Sequence, residues 1–143
     1  MSDVIIGRKA EQEILRQRIE SKSPELIAIY GRRRIGKTYL VRQYFKDTFS
    51  FYSTGIYQGS KKEQLREFAR QLTHYSGRKW KVAKDWFDAF AQLREYLESI
   101  DGDSPIVVFL DELPWMDTQK SRFIKAFEYF WNSWGATNNR LKL

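Results

Sequence analysis

Residues 31–38 of this 143-residue chain read G-R-R-R-I-G-K-T, which fits the pattern G-x-x-x-x-G-K-[ST]. The preceding run, E-L-I-A-I-Y, follows Pro24 and is apolar, as a buried strand is. The following run, T-Y-L-V-R-Q-Y-F, sets Leu40, Val41, Tyr44 and Phe45 at helical spacing. A strand, a glycine-bounded loop and a helix in that order restrict the fold to one that contains a strand–loop–helix unit. Gly31 lets the chain turn sharply out of the strand. Gly36 has no Cβ, so a phosphate can approach the backbone there. Successive N–H groups at the start of a helix form an anion nest, and the helix dipole adds partial positive charge. Gly31, Arg34, Ile35, Gly36, Lys37, Thr38 and Tyr39 are therefore the expected phosphate-binding positions. Lys37 supplies a point charge for the β- and γ-phosphates and so also counts as catalytic, while Thr38 offers a hydroxyl to Mg²⁺.

Hydrolysis needs more than a cradle. The segment S-P-I-V-V-F-L-D-E-L-P-W, residues 104–115, has five apolar residues in a row, Ile106 to Leu110. Such a run reads as a strand buried on both faces. Asp111 and Glu112 stand at its C-terminal end, where ligands collect in open α/β sheets. Asp111 is the expected metal ligand together with Thr38, and Glu112 is expected to orient and activate the attacking water. The adjacent Glu favours ATP over GTP, and no N/T-K-x-D guanine-reading sequence is present.

The segments I-I-G-R-K-A-E-Q-E-I-L, Y-G-R-R-R-I-G-K-T-Y-L-V-R-Q-Y-F and V-V-F-L-D-E-L-P-W-M together resemble the archaeal-type ATPases among the AAA+ and STAND-related P-loop NTPases. The resemblance covers essentially the whole chain. It implies a three-layer α/β/α fold with a mostly parallel sheet, and a Mg-ATP-dependent switch or motor. It also implies that Ile6, Gly7 and Arg8, with Ile5, border the adenine. Residues 1–143 would form an AAA+-type core that stops short of the family's sensor strand, lid and C-terminal region. The terminal R-L-K-L resembles the first residues of the sensor strand. In such proteins that strand lies between the phosphate-loop strand and the strand ending in Asp111. Its loss would leave both neighbours with unpaired backbone groups, so a homo-oligomer or a strand-swapped dimer is an expected partner state. This stretch alone is expected to bind ATP better than it hydrolyses it.

Composition bounds the alternatives. The chain is 42% hydrophobic, 16% aromatic and 30% charged, which is a globular balance. No run reaches the roughly 18 apolar residues of a membrane span. The N-terminus lacks a basic start followed by a long apolar region. Cysteine is absent, which excludes disulfides and fits a reducing cytoplasm. The net charge of +7 attracts phosphate of any source. An alternative reading is therefore a basic nucleic-acid- or protein-interaction module in which nucleotide is only structural.

Helices are expected at about 8–20, 37–46, 61–75, 85–100 and 119–134, and strands at about 25–30, 49–53 and 106–110. Leu65, Phe68, Ala69 and Leu72 form one core stripe. Trp86, Phe90, Leu93 and Leu97 form a second, and Phe123, Phe127, Phe130 and Trp134 a third. Residues 77–84, G-R-K-W-K-V-A-K, gather four cations around Trp80 and read as an interhelical loop with that indole pinned to the core. His74 is the single histidine, so a transition-metal site is not expected. Side chains at the x positions of the phosphate loop point away from the phosphates, so Arg32, Arg33 and Arg34 are expected to serve coupling rather than cradling.

Overall fold

The computed structural model describes residues 9–27, 41, 45 and 49–143. Among them the order is α1 (Lys9–Glu20), β1 (Phe51–Thr54), α2 (Lys61–Ser76), α3 (Trp86–Glu98), β2 (Ile106–Asp111), α4 (Leu113–Met116), α5 (Phe123–Ser133) and β3 (Leu141–Lys142). The architecture is α/β. The three strands form one parallel sheet in the order β1-β2-β3. Phe51 faces Val108 and Thr54 faces Asp111 across the first pair, and Val107 faces Lys142 across the second.

A parallel bridge joins Lys142 to Glu25 on the far side of β3. Glu25 N–H donates to Leu141 O at 3.0 Å, and Ile27 N–H to Leu143 O at 2.8 Å. Leu143 N–H returns a bond to Glu25 O at 2.9 Å. Residues 140–143 thus lie between β2 and the segment that leads into the glycine-bounded motif. They hydrogen-bond to both, because Ile106 N–H also donates to Arg140 O at 2.8 Å.

Local chemistry sets the helix ends. Ser60 and Glu63 form a reciprocal capping box at the start of α2, and Gly77 ends it in the left-handed conformation at φ 76°. Asp85 Oδ1 accepts the Asp88 N–H at 2.8 Å and starts α3. The helix expected over 119–134 begins only at Phe123, as α5, and the short α4 precedes it at Leu113–Met116. Lys120 and Arg122 adopt φ of 59° and 61°, which no helix accommodates.

The three stripes lie where periodicity puts them. Leu65, Phe68, Ala69 and Leu72 are buried, as are Trp86, Phe90, Leu93 and Leu97 and, from the third stripe, Phe123, Phe130 and Trp134. Phe127 is half-buried. They pack with Phe51, Ile106, Val108 and Leu141 from the sheet into one core. Each fully buried large side chain contributes about 2 kcal/mol of transfer free energy. Tyr52 and Phe109 alternate to the opposite face, where they meet Phe49 at ring separations of 5.7 and 5.5 Å. No described helix is long and apolar enough to cross a membrane.

Two cations tie β3 to its surroundings. The Arg140 guanidinium donates to the carbonyls of Ile100, Asp101 and Ser104, the turn that delivers the chain into β2. The buried Lys142 ammonium donates to Ser21 O at 2.9 Å, Ser21 Oγ at 3.0 Å and Ser23 O at 2.6 Å, just past the end of α1.

Candidate functional site

Asp111 closes β2 and is only 7% exposed. Its Oδ1 accepts the N–H of Glu112 at 2.9 Å. Glu112 then leaves the strand in the left-handed region, φ 56° and ψ 46°, and stands at the head of α4. That conformation is costly for a residue with a Cβ and recurs where a side chain must be aimed. Pro114, in the first turn of α4, helps set the bend.

The chain beyond β1 closes against this corner. Gly55 N–H donates to the Asp111 carbonyl at 2.9 Å. A Cβ on Gly55 would sit 2.5 Å from the Glu112 carbonyl oxygen and 2.9 Å from Trp115 Cβ. Only glycine permits β1 and α4 to approach so closely. The loop that follows is fixed by the buried Gln64, whose amide accepts the Ile56 N–H and donates to the Ile56 carbonyl, both at 2.8 Å. Tyr57 meets Trp115 edge-on at 5.1 Å, bracing the same corner from outside.

Asp111, Glu112, Leu113 and Pro114 line a cavity of about 470 Å³. Most of the rest of its described wall is apolar, including Leu15 and Ile19 of α1, Leu26, Ile27, Val41 and Phe45, and Lys142 also borders it. An apolar wall with a few carboxylate oxygens at one border is the usual composition of a small-molecule site. A hard carboxylate at a strand end also suits Mg²⁺, which takes one or two protein carboxylates and completes its shell with water and phosphate. Among the described residues no group of three or more His, Asp or Glu forms a metal cluster.

Of the sequence-derived site residues, the structure brings Asp111 and Glu112 together at this edge. Ile6, Gly7, Arg8, Gly31, Arg34, Ile35, Gly36, Lys37, Thr38 and Tyr39 lie outside the described residues, as do Arg32 and Arg33. Gly55 and Gln64 were not anticipated. A glycine closing a β-rich run and followed by a second glycine four residues on is the signal that could have marked this corner.

Trp80 is pinned to the core, as expected. The Arg78 guanidinium lies 3.8 Å from the Trp80 ring centre, and the Trp80 indole N–H donates to Ser76 Oγ at 2.8 Å. His74 packs edge-on against Tyr75.

Two archaeal proteins are similar to this chain, both from Methanocaldococcus jannaschii. One, an uncharacterized protein, is 24% identical over 125 residues, which is 87% of this chain and 25% of the relative. The chain therefore spans a quarter of that relative's length. The other, an uncharacterized ATP-binding protein, is 36% identical over 44 residues, which is 31% of this chain and 75% of the relative. Over those 44 residues the chain belongs to one family with that protein. No family model matches the chain, and no solved structure matches it.

Proposed function

We propose that the chain is the core of a P-loop NTPase of AAA+ type that binds Mg-ATP and, in its full protein, hydrolyses it. The supporting observation is the shared sheet. The segment from Glu25 leads in sequence to Gly31, and β2 ends in Asp111 and Glu112; the two run parallel with β3 alone between them. Neighbouring strands are about 4.8 Å apart, so these two are separated by about 10 Å. Gly31 follows Ile27 by only four residues, which span at most about 14 Å. That length of chain lets the motif reach the edge where the carboxylates stand. The ATP-binding name of the 44-residue relative favours the same nucleotide.

The chemistry assigned to each residue follows from its type and position. Loop amides and Lys37 hold the charge of the β- and γ-phosphates. Thr38 and Asp111 are the oxygen ligands that would hold Mg²⁺, which supplies charge neutralisation on the phosphates when bound. Glu112 orients a water in line with the γ-phosphate and accepts its proton. The strained backbone at Glu112 aims that carboxylate, and the Gly55 contact holds the strain in place.

Calorimetry with Mg-ATP tests the binding, and phosphate release tests the turnover. Lys37→Ala should remove the heat of binding. Glu112→Gln should keep that heat and lose phosphate release. A folded wild-type sample that gives no heat with Mg-ATP would overturn the assignment.

A further inference from the structure

Residues 77–85, α3 and α5 form a second surface. Residues 77–85 run as a strap along α3, antiparallel to it. Arg78 is salt-bridged to Glu95, the Lys81 carbonyl accepts from Gln92, and the Lys84 N–H donates to Asp88. This arrangement consumes the acids of α3. Glu95 is held by Arg78, Glu98 by Arg94 at 3.2 Å, and Asp85 and Asp88 accept backbone N–H groups at the start of the helix. The exposed Lys79, Lys81, Lys84, Arg122 and Lys125 make no ion pair among the described residues. Glu128 remains as an exposed carboxylate on α5.

Aromatic surface accompanies these cations. Phe87, three residues after Lys84, meets Tyr129 of α5 at a ring separation of 6.0 Å. Arg122 lies over Phe87 at 5.0 Å. Tyr129 is 62% exposed, so much of its ring is open to solvent. Lys125 precedes it by four residues, one helical turn away on the same side of α5.

We propose that the strap and the outer faces of α3 and α5 bind single-stranded nucleic acid, with Lys79, Lys81, Lys84 and Arg122 on phosphates and a base stacked on Tyr129. Unpaired cations beside an open aromatic ring supply both terms of such binding: charge that tracks the backbone, and a π face that accepts any base. A duplex keeps its bases stacked inside and cannot use Tyr129. An acidic protein would use the lysines and gain nothing specific from the ring. Trp80 is not the platform, because Arg78 already covers it.

Fluorescence anisotropy with a labelled oligothymidylate of about 20 nucleotides tests this. The protein should bind it, with affinity falling steeply between about 50 and 200 mM salt. Tyr129→Ala should weaken binding by about tenfold or more, and Tyr129→Phe should retain it. Lys81→Ala combined with Lys84→Ala should weaken it further and flatten the salt dependence by about 1.4 units in slope. All these positions are exposed, so the variants should keep the wild-type circular dichroism. Lys37→Ala should leave oligonucleotide binding intact, which separates this surface from the phosphate loop. Absence of binding at low salt would overturn the proposal. So would equal affinity for the Tyr129→Ala variant, loss of oligonucleotide binding in Lys37→Ala, or equally effective competition by duplex DNA or polyglutamate.

Discussion

Gln64 reads the backbone of Ile56 through both ends of its side-chain amide, accepting one hydrogen bond and donating another at 2.8 Å each. Ile56 follows Gly55, whose N–H bonds to the Asp111 carbonyl. A glutamine on α2 therefore fixes the loop that closes on the carboxylate corner. Gln64→Leu keeps the volume and removes both bonds, stripping the part-buried Ile56 N–H of its partner, while the Ile56 carbonyl keeps the Gly59 N–H at 2.9 Å. We expect a loss of about 2 kcal/mol in urea denaturation. Amide exchange at Ile56 should accelerate more than at the core residue Leu72. Unchanged exchange at Ile56 would show that the loop is held by other contacts.

Gly55 is constrained by space. The atoms a methyl group would meet are the Glu112 carbonyl oxygen at 2.5 Å, Trp115 Cβ at 2.9 Å and Met116 N at 3.0 Å. Two are backbone and the third is attached to it, so none can swing aside. Gly55→Ala must separate β1 from α4, at a cost of about 1–3 kcal/mol. Thermal unfolding should record the loss, and the Asp111 amide region of a nitrogen–proton spectrum should shift with it. A variant as stable as the wild type would mean that the corner tolerates separation.

Glu112 is held at φ 56°, where glycine is at ease and other residues are strained. Glu112→Gly should therefore stabilise the fold by up to about 1 kcal/mol, while removing the carboxylate assigned to water activation. Denaturation midpoints compared with phosphate release would read both quantities. Greater stability with lost turnover is the expected pair. Lower stability would show that the Glu112 side chain contributes contacts outweighing its backbone strain.

The parts of this fold visible in the sequence are those with a period or an unbroken run. Ile106 to Leu110 could only be a buried strand, and the acids after it fell at its carboxyl end. Phe68, Phe90 and Phe123 announced their faces by helical spacing. What the sequence concealed depends on partners distant along the chain. Gln64 looks like a surface helix residue until the Ile56 backbone arrives beside it. Lys142 looks solvent-facing until Ser21 and Ser23 supply carbonyls. Lys120 and Arg122 carry no signal for left-handed backbone, so α5 starts later than periodicity predicts. The residues of the glycine-bounded motif lie outside the described residues, and their proposed roles rest on the motif.

Lys142 should give the protein an alkaline signature. Burial pushes its ammonium below the ordinary lysine pKa, and the nearby Glu25 carboxylate only partly offsets that. The folded state then binds fewer protons than the unfolded state between the lowered value and about 10.5. Stability must rise with pH through that window, because the cost of burying the charge disappears as the amine neutralises. Tyr96 opposes the trend at the top of the range. Burial raises its pKa, and its hydroxyl donates to Ser50 O at 2.7 Å, so its contribution is lost above about pH 10. Comparing wild type with Lys142→Met cancels the tyrosine. Methionine fills the same channel, and the Ser21 and Ser23 carbonyls lie in a turn that water can reach, so at pH 7 the two proteins should agree within about 1 kcal/mol. As pH rises from neutrality toward about 10.5 the wild type should gain on the variant in urea denaturation. Parallel stability curves across that range would show that the Lys142 ammonium is as well solvated in the folded protein as in the unfolded chain.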